Sequence, residues 1–104
     1  MIVVGGNCGP WLSSVEVFDS ESWQWRSGPE LPVGIGAGSL VEDVDGGIVL
    51  IGGCSDSSEY LDSIYRLADV SADWIEIPKK LKTGRHYHTS FLVPDEIAAC
   101  QKIK

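Results

Sequence analysis

The chain has 104 residues, of which 43% are hydrophobic and 22% are charged. This length allows one domain at most, and the composition is that of a globular protein rather than a disordered one. The formal net charge of −7 argues against binding to nucleic acid or to an anionic membrane surface.

The sequence favours a cytoplasmic protein. No apolar run approaches the roughly 18 residues that a membrane span needs, and residues 1–6 lack the basic start of a signal peptide. The cysteines at positions 8, 54 and 100 form no C-x-x-C pair, so reduced thiols are the expected state rather than a disulfide or zinc site.

Charge is divided unevenly along the chain. Residues 1–78 hold two basic and thirteen acidic side chains, whereas residues 79–104 hold six basic and two acidic ones. Such a division is usual for a solvated surface. It would also favour docking of the basic segment on the acidic body or on an acidic partner.

Taken in chain order, eight short segments have the apolar pattern of β-strands, separated by Gly, Pro, Asp and Ser. The predicted strands are 2–6, 14–18, 23–26, 36–44, 48–53, 61–67, 74–77 and 86–93. Alternation places Val15 and Val17 on one face of the second strand and Phe18 on the other, and places both indoles of the third strand on one face. Asp45-Gly46 predicts a tight hairpin between the fourth and fifth strands.

The two halves of the chain repeat each other. Each has an apolar strand that runs into a glycine pair, and glycine accepts a positive φ or a close backbone approach without steric cost. An aromatic strand residue and a tryptophan follow each pair. The equivalent residues are Gly5-Gly6 and Gly52-Gly53, Phe18 and Tyr65, Trp25 and Trp74, and Leu31 and Leu81.

The glycine pairs lie 47 residues apart, and this pattern resembles the Kelch repeat of β-propellers, whose period is about 50 residues. Arg85 followed by His88 resembles the Arg-x-x-His segment that opens many Kelch blades. The first repeat departs from the pattern, since Ile35 stands where that arginine would be. The resemblance covers residues 2–93.

The resemblance implies an all-β fold of Kelch-type propeller blades, each a four-stranded antiparallel sheet with strands A to D from the axis to the rim. Residues 1–27 then form a partial blade with strands B, C and D, residues 35–77 a complete blade, and residues 86–93 a closing A strand before the tail 94–104. The paired aromatic residues are expected to bury their rings between blades.

Two blades are too few for a closed propeller, since natural propellers have roughly four to eight. Three explanations remain open. The chain is a segment of a larger Kelch protein, or copies assemble head to tail into a homo-oligomer that completes the ring, or it is a two-blade monomer.

Partner binding is expected on the face where the B–C and D–A loops emerge, namely residues 7–12, 27–35, 54–60 and 78–85. Trp11 either contacts a partner or covers the blade edge. Arg85 either binds a partner carboxylate bidentately or bonds loop carbonyls and glutamates between blades. Polar residues of the loops either contact a partner or are simply solvated. The candidates are Asn7, Trp11, Asp56, Ser57, Ser58, Tyr60 and Arg85.

The resemblance implies a non-catalytic protein–protein interaction module, such as the substrate-recognition part of a ubiquitin-ligase adaptor. The alternative is a propeller segment of a secreted or oxidase-type enzyme, because copper radical oxidases share such a propeller. His86 and His88 alone are a poor metal site, and no Ser or Cys has a visible base. We therefore predict no enzymatic activity, no cofactor, no metal, and a protein or peptide partner.

Overall fold

The computed structural model describes residues 1–7, 10–56, 60–90 and 92–93, which form two antiparallel β-sheets and no helix. The first blade has strands β1 (Ile2–Val4), β2 (Val15–Asp19) and β3 (Gln24–Ser27) in that spatial order. The second blade has strands β4 (Ser39–Glu42), β5 (Ile48–Ile51), β6 (Ile64–Leu67) and β7 (Ile75–Glu76). The predicted all-β fold, with one partial and one complete blade, is confirmed. Among these described residues no helix is long and apolar enough to cross a membrane.

The glycine pairs end β1 and β5 in nearly the same backbone conformation. φ is +66° and +114° at Gly5 and Gly6, and +64° and +105° at Gly52 and Gly53. The first glycine of each pair donates its N–H to a serine carbonyl across the ladder, at 2.9 Å in both blades. A Cβ on Gly5 would lie 2.1 Å from the backbone oxygen of Ile35. Both reasons for glycine, positive φ and close approach, therefore apply.

The hairpin between β4 and β5 turns where Asp45-Gly46 predicted it. Gly46 has a φ of +85°, and its N–H donates to Asp43 O at 3.0 Å. Arg66 of β6 pairs with the carboxylates of Asp43 and Asp45, at 3.2 and 3.7 Å. The pKa of Asp43 lies below its usual value. The largest cause is the backbone hydrogen bond from Val44, and the hydrogen bond from Arg66 is the next largest.

A hydrophobic core of described residues lies between the two blades. Trp74 is 6% exposed and donates its indole N–H to Pro29 O at 2.9 Å, so it joins the second blade to the connection that leaves the first. Leu67 is fully buried. The buried residues that pack together are Val15, Leu31, Ile35, Leu50, Tyr65, Leu67 and Trp74. Burying each large apolar side chain contributes about 1.5–3 kcal/mol, so this interface is what makes the two blades one body.

The same positions are buried in the second blade and open in the first. Leu50 is 4% exposed, whereas its equivalent Val3 is 45% exposed; Trp74 is 6% exposed, whereas Trp25 is 48% exposed. The expectation that Trp25 buries its ring between blades is therefore wrong for this chain. The cause is its place on the face of the first blade turned away from the second.

The two indoles of the first blade both contact Phe18, as their predicted common face requires. The ring centroids lie 5.8 Å apart for Phe18 and Trp23, and 5.1 Å apart for Phe18 and Trp25. Trp23, however, lies in the turn before β3, with a φ of 58° and 80% of its surface exposed.

The closing strand predicted at 86–93 does not form among its described residues, 86–90, 92 and 93. Tyr87 N–H donates to Ala37 O at 2.8 Å, and a Cβ on Gly52 would lie 2.8 Å from the His88 ring. An inner strand needs the free edge of a B strand, and β5 already has β4 and β6 on its two sides. β1 keeps a free edge, but two blades do not close the ring that would bring residues 86–93 to it.

Candidate functional site

In each repeat, one backbone hydrogen bond closes the B–C loop and a second ties that loop to the D–A connection beside it. These bonds are Leu12 N–H to Gly6 O (2.7 Å) and Ile35 N–H to Leu12 O (3.1 Å), then Leu61 N–H to Gly53 O (2.7 Å) and Arg85 N–H to Leu61 O (3.0 Å). Trp11 N–H reaches Asp56 Oδ1 at 3.4 Å and links the two B–C loops. The described residues of 7–12, 27–35, 54–60 and 78–85 therefore share one side of the molecule, which we call the loop face.

Trp11 lies on the second blade as much as on its own loop. Its ring occupies the space above Gly36, where an added Cβ would lie 2.1 Å from the indole. The side chain is half-buried. This geometry favours the cover over the blade edge, with only part of the ring left for a partner.

The remaining polar candidates lie at the rim of Trp11. Asn7 is exposed and forms an antiparallel bridge with Trp11. Asp56 is exposed and accepts the Trp11 N–H. Ser57 and Ser58 lie outside the described residues. Asn7 and Asp56 therefore shape the loop from which Trp11 projects.

Arg85 has a fixed backbone and an exposed side chain. Its carbonyl accepts the N–H of Gly53 at 2.7 Å, which holds the connection against the second glycine pair. Its guanidinium is exposed, and Nε makes one long bond, 3.4 Å, to Thr83 O. Among the described residues, the ion pairs involve Arg66 and Lys80 and not Arg85. Arg85 thus has unused donor capacity.

A cavity of 380 Å³ opens beside Arg85. Arg85, His88, Thr89 and Ser90 supply its polar lining, and its described lining residues include no carboxylate. Both ring nitrogens of His88 are buried, with no hydrogen-bond partner among the described residues. The cavity therefore combines one cationic donor group, Arg85, with side chains that can donate or accept, and its apolar lining comes from Ile51, Leu81 and Val93.

Three aromatic rings form a second feature of this side. The rings of Tyr60 and His86 are stacked with centroids 4.5 Å apart, and His86 and Tyr87 are 4.7 Å apart. Sequence reasoning found Tyr60 but assigned His86 and Tyr87 to a strand. The run His86-Tyr87-His88 directly after Arg85 was the available signal, because aromatic side chains beside a loop arginine are common in binding surfaces.

The resolved aspartate pKa shifts lie away from the loop face. The pKa of Asp19 is lowered chiefly by a backbone hydrogen bond from Glu21, and that of Asp69 chiefly by the Ser71 hydroxyl. Both belong to C–D turns at the opposite end of the sheets. Among the described residues no three His, Cys, Asp or Glu side chains are placed to hold a metal ion.

Comparison with known proteins finds that the chain is similar to proteins with Kelch repeats. The family model of the Kelch motif matches residues 1–32. The chain is 30% identical over 100 residues to Kelch-like protein 21 of Danio rerio and 31% identical over 93 residues to Kelch-like protein 21 of Homo sapiens, covering 93% and 86% of this chain. It is also 40% identical over 65 residues, 62% of this chain, to an F-box/kelch-repeat protein of Arabidopsis thaliana. The chain spans only 16%, 15% and 13% of these three relatives.

Proposed function

Because this chain belongs to the Kelch-repeat family, we propose that its loop face binds a protein partner and that the chain acts as a non-catalytic recognition module. The family resemblance further suggests substrate recognition for an adaptor in the cytoplasm. The relatives are named for their repeats, which supports binding rather than a reaction as the role. Loops on a rigid β-scaffold are the usual place for such binding.

The observation that carries the proposal is the exposed guanidinium of Arg85, which forms no ion pair with any described residue. A charged donor group that no described carboxylate engages lies at the edge of a cavity whose described lining contains no carboxylate. Arginine binds a carboxylate through two parallel hydrogen bonds, which gives both affinity and orientation. We therefore propose that Arg85 binds the carboxylate of an acidic side chain or of a chain terminus of the partner.

The test compares Arg85→Gln with Arg26→Gln in capture of partners from cell extract. Arg26 is a matched control, because it is an exposed arginine on the edge strand β3. Proteins captured by the wild type and by Arg26→Gln should be lost with Arg85→Gln, and each purified partner should bind the Arg85 variant about tenfold more weakly or worse. Equal binding by both variants would refute the assignment.

A second proposal concerns the open side of the first blade. Val3, Phe18 and Trp25 hold the positions that Leu50, Tyr65 and Trp74 hold in the buried interface. We propose that the outer face of the second blade of another copy covers them, giving a head-to-tail homo-oligomer. Sedimentation equilibrium tests this. A wild-type mass above the 11.3 kDa of one chain, together with a mass of one chain for Trp25→Arg, would support the homo-oligomer. A wild-type mass of one chain at all concentrations would refute it.

A further inference from the structure

Tyr60, His86 and Tyr87 form one continuous aromatic surface, which we call the aromatic platform. The first two rings are nearly parallel, 26° apart, and the third is tilted by 51° against His86. Tyr60 is 55% exposed and Tyr87 is 80% exposed. Backbone contacts hold Tyr87 and Tyr60 in place, since Tyr87 N–H donates to Ala37 O at 2.8 Å and Gly84 packs against the Tyr60 carbonyl.

Tyr87 is held in a conformation that tyrosine avoids. Its φ is 53°, in the left-handed region, where a bulky side chain is a true outlier. The ring is mostly exposed, so its packing in the folded chain does not offset the strain. Strained residues of this kind concentrate at binding sites, where the strain fixes a side chain for a ligand.

The charges around the platform select its ligand. Lys79, Lys82 and Arg85 lie in the connection that leads into the platform, and none of them is in an ion pair with a described residue. These cations repel a lysine or arginine of a partner, which would otherwise be the natural guest of a tyrosine ring. An uncharged ring that stacks on aromatic side chains, proline, has no such penalty.

We propose that the aromatic platform binds an extended, proline-containing segment of the partner. Such a segment adopts the polyproline II conformation, which leaves its backbone carbonyls without internal hydrogen bonds. The platform supplies faces for the proline rings, and the two tyrosine hydroxyls supply donors for the carbonyls. The inference rests on the proposed function, because it names the partner chemistry that the loop face recognises.

The probe is a fluorescein-labelled decaproline with an amidated end, compared with a Gly-Ser peptide of the same length. Decaproline amide has no carboxylate, so it tests the platform independently of Arg85. In fluorescence anisotropy, decaproline should bind and the Gly-Ser peptide should not. Tyr60→Ala and Tyr87→Ala should each weaken binding by about tenfold, whereas Tyr87→Phe, which keeps the ring and loses one hydroxyl donor, should weaken it by only about threefold.

Trp23→Ala is the matched control. Trp23 is also 80% exposed, also has a left-handed φ, at 58°, and lies in a turn at the other end of the sheets. Its removal should leave decaproline binding unchanged. A dispersed amide NMR spectrum of each variant establishes that it is folded. Two results would overturn the inference: equal binding of both peptides, or binding that survives the double Tyr60 and Tyr87 replacement.

Discussion

Replacing Trp74 or Trp25 by alanine separates a tryptophan inside the blade interface from its repeat equivalent outside it. Trp74 is 6% exposed and donates to Pro29 O, whereas Trp25 is 48% exposed and contacts Phe18 across the ladder. Because the residue type is the same, the difference in cost reports the environment alone. The comparison therefore measures how far the two blades stabilise each other.

The magnitudes follow from the exposed fractions. The 48% and 6% exposures differ by 42 points. For a side chain of about 200 Å² this is about 85 Å², or about 2 kcal/mol at 25 cal/mol per Å². The unpaired Pro29 carbonyl adds about 1 kcal/mol. We expect Trp74→Ala to lower the free energy of unfolding by about 3–5 kcal/mol, and Trp25→Ala by about 3 kcal/mol less than that.

Urea denaturation followed by far-ultraviolet circular dichroism measures both variants without depending on indole fluorescence. Trp74→Phe adds a third point, since it keeps most of the buried area and loses the N–H bond to Pro29, for about 1–3 kcal/mol. Equal losses for Trp25→Ala and Trp74→Ala in a dilute monomer would contradict the interface described here. Equal losses only at high protein concentration would instead show that a second copy covers Trp25.

Further predictions concern single positions. Gly52→Ala should destabilise by about 2 kcal/mol or more, because φ is +64° and a backbone oxygen lies 2.6 Å from the new Cβ; Gly46→Ala, at a φ of +85° in open space, should cost only about 1 kcal/mol in the same urea titration. Tyr87→Gly should raise the thermal midpoint, since it releases about 1–2 kcal/mol of left-handed strain, and a lower midpoint would contradict a strained Tyr87. The pKa of Asp69 is lowered from 3.8 by Ser71, so its stabilisation is present above that pH and is lost as pH falls through the depressed value. Asp69→Asn should therefore reduce the acid dependence of the thermal midpoint, and an unchanged dependence would contradict the Ser71 contact.

Local signals in the sequence were sufficient for seven of the eight predicted strands and for the turns marked by glycine. Gly5-Gly6 and Gly52-Gly53 mark strand ends because glycine adopts their φ values without strain, and Asp45-Gly46 marks a hairpin for the same reason. These are requirements of a few neighbouring residues. They hold wherever the rest of the chain lies.

The features that sequence reasoning missed depend on distant neighbours. Trp25 has the residue type of a core position, and only the absence of a blade beside it among the described residues leaves it 48% exposed. The segment 86–93 has a strand pattern, but a strand forms only where a partner edge is available. Tyr87 has a left-handed backbone at the point where its N–H donates to Ala37 O, a contact across 50 positions.

We expect recognition at a position where the two repeats carry different side chains. Ile35 and Arg85 occupy one backbone position in the two repeats, because each carbonyl accepts the N–H of the second glycine of a pair, at 3.0 and 2.7 Å. The side chains differ in burial, since Ile35 is 2% exposed in the core and Arg85 is exposed to solvent. When the backbone position is shared and only the side chain differs, the fold is kept while the chemistry of the surface changes. Replacing Arg85 by isoleucine should therefore preserve the fold and remove partner binding. A loss of folding in that variant would show that the arginine supports the second glycine pair instead.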